Sequence, residues 1–233
     1  MELTRLKANS QYRPCVDEKP YFSWVLTSEK KNVMQTSYHI TVTDPEEVVW
    51  DSGIVESDKS IFVEYAGPPL KSLCEYRWTV TVTDNTGDSA VASSSFETGF
   101  MQKEWSAQWV RSPFPMKKAK KGTGGQNAAE YFRKAFVVRD RVRWARVYAT
   151  CHGAYQLSIN GTRPDDREFA PEFTVYSKYL CYQTYDITPL LQTGENVIAM
   201  LVGDGWYNSA NFKSLSRKFK PEHAVLFHVK IEY

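Results

Sequence analysis

The sequence predicts an all-β protein, two β-sandwiches in tandem, the second of jelly-roll type. Three observations carry that prediction. Apolar residues recur with a period of two, as strands require, and no long segment follows the 3.6-residue period of a helix. Turn residues punctuate the apolar runs at short intervals. Aromatic residues reach 14%, with 7 Trp and 14 Tyr, a composition that suits β-sheet surfaces better than a helical bundle.

The elements follow in order. In Tyr38-His39-Ile40-Thr41-Val42-Thr43 apolar and polar side chains alternate. In Glu75–Thr83, Tyr76, Trp78, Val80 and Val82 share one face, and Arg77 and the threonines share the other. Such alternation marks half-buried antiparallel strands. Asp51-Ser52-Gly53, Gly67-Pro68-Pro69 and Asp84-Asn85-Thr86-Gly87 read as the turns between strands. Residues 1–100 therefore form one small sandwich. Residues 101–130 read as a linker holding Trp105, Trp109 and the basic, glycine-rich run Lys117–Gly125. The two tryptophans are expected to lock the two domains together.

Residues 131–233 form the second sandwich, with strands expected at Tyr131–Val138, Ala145–Thr150, Ala154–Asn160, Leu180–Tyr185, Val197–Val202 and Val225–Tyr233. A short helical turn near Thr188–Leu191 is compatible with Pro189 in its first position. The chain stops within a predicted strand, and an unprotected edge invites further pairing. More protein is expected to follow Tyr233.

The charge excludes several function classes. With 29 basic and 27 acidic residues the net charge is +2, so no global field selects nucleic acid or a membrane surface. The lysine run lacks the G-K-[ST] ending of a phosphate loop and the interleaved aromatics of a single-strand binder. No apolar stretch approaches the roughly 20 residues of a membrane span. The start Met1-Glu2-Leu3-Thr4-Arg5 lacks the apolar core of a secretory signal. The cysteines Cys15, Cys74, Cys151 and Cys181 lie far apart, which argues against a zinc site and for reduced thiols in the cytoplasm. No G-x-S-x-G turn is present, the histidines are dispersed, and Cys151-His152 reads as a buried thiol beside an unrelated ring.

One stretch carries chemistry. From Gly194 a turn enters the apolar run Val197–Val202, which breaks into Gly203-Asp204-Gly205-Trp206-Tyr207. Tight loops on a rigid sheet are common places to hold ligands. Rings for a C–H face beside a hydrogen-bond acceptor for hydroxyls are what a sugar needs. Asp204, Trp206, Tyr207, Asn208 and Asn211 are the candidate sugar-binding residues. The densest acidic cluster, Asp165-Asp166 with Glu168, makes a poor acid–base pair, since neighbours on an extended strand face opposite ways.

Short motifs also carry a resemblance. Pro20-Tyr21-Phe22-Ser23-Trp24, Gln35–Ile40, Trp50-Asp51-Ser52-Gly53, Tyr76–Val80, Phe96-Glu97-Thr98-Gly99 and Trp105–Val110 resemble the amino-terminal module of bacterial α-L-rhamnosidases of glycoside hydrolase family 78. That module is similar to fibronectin type III domains, and Leu73 and Tyr76 stand like a tyrosine corner. From Tyr131-Phe132-Arg133-Lys134 on, Ile159-Asn160-Gly161, Ala170-Pro171, Tyr182–Thr188 and Gly203–Tyr207 resemble the family's jelly-roll module, which is like a carbohydrate-binding module.

The resemblance implies a parent enzyme that hydrolyses terminal α-L-rhamnosides with carboxylates in a downstream helical toroid. This chain would support that catalytic domain without being catalytic itself. It also implies terminal L-rhamnose or rhamnosylated glycosides as ligands, with calcium held by Asp165, Asp166 and Glu168. Calcium would need six or more oxygens, some supplied by sugar hydroxyls. Arg163-Pro164 and Asn208-Ser209-Ala210-Asn211 depart from the family's small and glycine-rich residues at those points. A free-standing carbohydrate-binding protein and a structural or protein-interaction module are the alternative readings.

Overall fold

The computed structural model describes residues 1–101, 104–113, 127–208 and 222–233. The chain divides into two compact units, Met1–Glu104 and Trp105–Tyr233. Among the described residues every regular element is a strand, apart from one 3-10 turn at Thr188–Leu190.

The first unit contains β1 (Glu2–Ala8), β2 (Cys15–Val16), β3 (Tyr21–Thr27), β4 (Gln35–Thr43), β5 (Val48–Glu56), β6 (Val63–Glu64), β7 (Glu75–Asp84) and β8 (Ser89–Thr98). One sheet has the order β1-β3-β6 and the other β2-β8-β7-β4-β5, with β2 parallel to β8. Alternation decides the burial. On β7, Tyr76, Trp78, Val80 and Val82 are all buried and Arg77 is exposed. Phe22 from β3 stacks on Trp78 at 4.6 Å and joins the two sheets into one core with Phe96 and Ile40. The tyrosine corner is present, because the Tyr76 hydroxyl accepts the Lys71 N–H at 2.8 Å.

Asp51-Ser52-Gly53 is not a turn. It lies inside β5 as an irregularity in the pairing with β4. Gly53 takes φ 61° and donates its N–H to the Asp51 carboxylate at 2.8 Å. Glycine's left-handed conformation serves a bulge as readily as a turn, so its position alone could not separate the two.

The second unit contains β9 (Val110–Arg111), β10 (Glu130–Val138), β11 (Trp144–Cys151), β12 (Ala154–Ile159), β13 (Gln183–Asp186), β14 (Gly194–Gly203) and β15 (Ala224–Glu232). Its sheets have the orders β10-β14-β12 and β13-β11-β15-β9. The central strands β14 and β11 carry the most apolar runs, as double-sided burial demands, and Val147, Ile159, Ile198, Met200 and Val202 are buried between the sheets. The 101–130 stretch is more than a linker, since it supplies β9, paired to Ala224 and Val225 of β15. Trp105 meets Tyr182 edge-on at 5.3 Å and Trp109 lies on His152, both within this unit. The lysine run Lys117–Lys121 lies outside the described residues.

Candidate functional site

The Gly203–Asn208 loop leaves β14 at the end of the second unit's three-stranded sheet. The Asn208 N–H bonds the Asp204 carbonyl at 3.1 Å and closes a tight turn. The turn lies hard against the connection between β11 and β12. A Cβ on Gly205 would sit 2.7 Å from the Ala154 nitrogen, and one on Gly153 would sit 2.2 Å from the Gly203 carbonyl oxygen. Both glycines have positive φ, so both are there for close backbone approach as well as for conformation.

The side chains of the loop divide into two sets. Asp204 points inward, and its side chain is only 15% exposed. Its carboxylate accepts the Asn127 backbone N–H at 2.8 Å, the Asn127 side-chain amide at 2.9 Å and His223 Nε2 at 3.1 Å. The other His223 nitrogen, Nδ1, lies 3.2 Å from the Glu130 carboxylate. Tyr207 is also buried, stacked face to face on the His152 ring at 4.4 Å. Burial pushes its phenol up to about 12, with Glu222 adding to the shift. Burial lowers the His152 imidazole, partly offset by Glu222. Asn208 spends its amide on the carbonyls of His152 and Glu222 and accepts the Glu222 N–H. Asn211 lies outside the described residues.

Trp206 differs. It is half-buried, with its ring centroid 5.7 Å from Phe169 and 6.3 Å from Phe173. Phe169 is 66% exposed and Phe173 47%, so the three rings form an aromatic surface. The sequence reading missed both phenylalanines, although they flank the Ala170-Pro171 motif. It also set aside His152 and His223 as dispersed, and the fold brings both to one loop, His152 on Tyr207 and His223 on Asp204.

The acidic cluster is not a strand. Asp165 lies in a bend, so strand alternation does not govern the direction of its side chains. The Asp165 carboxylate pairs with Arg167 at 3.1 Å, and Glu168 pairs with Arg163 at 2.8 Å. The Arg163 bond holds the Glu168 carboxyl below its ordinary range. Among the described residues no three His, Cys, Asp or Glu side chains are gathered so as to hold a metal ion. Asp165, Asp166 and Glu168 therefore do not fit calcium, because two of the three carboxylates are already neutralised by arginines. Cys151 is fully buried and its thiol is pushed up by desolvation, which makes it inert.

The comparisons agree with this architecture. Residues 3–102 match the family described as "Rha78A-like, N-terminal immunoglobulin domain", and residues 140–233 match "Alpha-L-rhamnosidase N-terminal domain". The chain belongs to the amino-terminal region of the α-L-rhamnosidase family. Its first unit is thus classed with immunoglobulin domains, which share the sandwich architecture of fibronectin type III domains. A protein of Formosa agariphila named alpha-L-rhamnosidase is 30% identical over 95% of this chain and 26% of its own length. The structure of alpha-L-rhamnosidase from Dictyoglumus thermophilum superposes with a TM-score of 0.85 at 29% identity, over 99% of this chain and 27% of that one. The Streptomyces avermitilis alpha-L-rhamnosidase, solved in complex with L-rhamnose, shares the fold with a TM-score of 0.83 at 20% identity, over 100% of this chain and 39% of that one. The chain thus spans about a quarter of the relatives first named.

Proposed function

We propose that this chain is the non-catalytic amino-terminal part of an enzyme that hydrolyses terminal α-L-rhamnosides. In this reading its second unit takes up L-rhamnose on the surface of Trp206, Phe169 and Phe173. The observation that carries the reading is that aromatic surface, with Trp206 on a loop anchored through Asp204 and Asn208. A 6-deoxy sugar offers a methyl group and a C–H face, which aromatic rings bind by apolar contact. Its partner is the downstream catalytic domain. The relatives' names and the rhamnose complex of one of them support the sugar class. In this reading hydrolysis belongs to the downstream catalytic domain, where an acid and a base would flank the bond.

A supporting role without sugar is the second reading. It is favoured by one observation, that Asp204, Tyr207 and Asn208 are all engaged inside the fold.

Calorimetric titration with L-rhamnose, repeated after chelation, separates the two. We expect saturable heat that survives the chelator and is lost in Trp206→Ala. Absence of heat at millimolar sugar leaves the supporting role. Heat that vanishes with chelation overturns the metal-free site.

A further inference from the structure

We propose that His223 is a proton-held clamp, a positioning residue whose charged ring fastens the Gly203–Asn208 loop and releases it as pH rises. The clamp is independent of the sugar reading, since it concerns only the order of the loop.

The geometry is specific. The His223 side chain is fully buried, with 0% exposure, and both ring nitrogens face carboxylate oxygens. Nδ1 lies 3.2 Å from Glu130 Oε2 at the start of β10, and Nε2 lies 3.1 Å from Asp204 Oδ1 just after β14. A carboxylate only accepts, and a neutral imidazole has one N–H. Both contacts are therefore hydrogen bonds only when the ring carries two protons. The Asn127 donors on Asp204 share in offsetting the second negative charge.

The charged groups that face the ring among the described residues are these two carboxylates. The neighbouring Glu222 is directed to Arg111 at 3.2 Å and to His152 at 3.7 Å. Protonated His223 thus joins the start of β15, the start of β10 and the loop that presents Trp206. When the proton leaves to solvent, one of the two contacts becomes an acceptor facing an acceptor. The contact that is lost, to Glu130 at 24% exposure or to Asp204 at 15%, unties one of the two ends that the ring joins, so the loop loosens.

The sign follows from the partners. A ring with two protons donates to both carboxylates and a ring with one proton donates to only one, so the clamp is complete in the doubly protonated ring and is lost with the second proton.

The test is imidazole ¹H–¹⁵N spectroscopy of the full chain across pH, with His223 assigned from the signal missing in His223→Gln. Amide exchange of residues 203–208 is followed in parallel. We expect both His223 nitrogens to be protonated in the folded chain wherever the loop is held. Exchange of the loop should rise by about tenfold as the ring loses its proton, the worth of one hydrogen bond. Glu130→Gln should move that transition to lower pH. A single neutral tautomer while the loop is held, loop exchange that stays flat across the range, or a transition unmoved in Glu130→Gln would each overturn the clamp. The wild-type spectra decide the matter even if the variants fold poorly.

Discussion

At the residue scale, single polar atoms decide what the packing allows. The Tyr76 ring is buried against Phe96, yet its hydroxyl is directed to one backbone N–H, that of Lys71. Tyr76→Phe keeps the apolar contacts and leaves that donor unpaired. We expect the change to lower unfolding free energy by about 1 kcal/mol, read from the urea midpoint. A shift indistinguishable from zero would mean that water replaces the hydroxyl. The corner was expected from the resemblance to fibronectin type III domains, in which Leu73 and Tyr76 stand like a tyrosine corner. The Asp204–His223–Glu130 contacts were not. Those residues are separated by up to 93 positions, and they meet only because β10 pairs with β14 and β15 stands in the second sheet of the same sandwich. Trp206 stood out in the sequence, while Phe169 and Phe173 come from an irregular segment with no period to expose them.

At the element scale, periodicity predicted the strands well wherever one or both faces are buried. The run through Val197–Val202 is the core of β14, and Thr188–Leu190 forms the expected turn around Pro189. The errors fell on β5, whose bulge at Asp51-Ser52-Gly53 read as a turn, and on β9, too short to carry a period. Val110–Arg111 is held by two register partners on β15, a tertiary contact with no local signature. The β11–β12 connection yields a prediction of its own. Gly153 has φ 145°, and a Cβ there would meet the Gly203 carbonyl, whereas Gly161 at φ 84° has open space around it. Gly153→Ala should cost at least about 2 kcal/mol and Gly161→Ala about 1 kcal/mol. Equal losses in thermal unfolding would show that backbone conformation alone, and not the close approach, determines the effect.

At the scale of the whole molecule, acid sets a limit to stability. The Asp44 side chain is 1% exposed, and Lys71 Nζ bonds it at 2.7 Å. The Lys71 bond, with the backbone N–H groups of Glu46 and Glu47, holds its carboxyl down at about 2. Asp51, Asp84 and Glu168 are lowered as well, by backbone and side-chain hydrogen bonds. A carboxyl lowered in the folded state stabilises above its unfolded value and loses that contribution as pH falls. Calorimetry over a pH series should show a midpoint that drops steeply below about pH 4, with a shallower drop in Asp44→Asn. The same slope in both would assign the acid sensitivity to other groups. The irregular edge strand β5 also affects the whole molecule. Its register against β4 slips twice, between His39 and Thr41 and between Val42 and Thr43. A ribbon bent in this way cannot present a straight ladder of donors and acceptors to a second copy. This edge can therefore expose Ile54 to 74% and still resist edge-to-edge pairing through β5 during refolding or storage at high concentration.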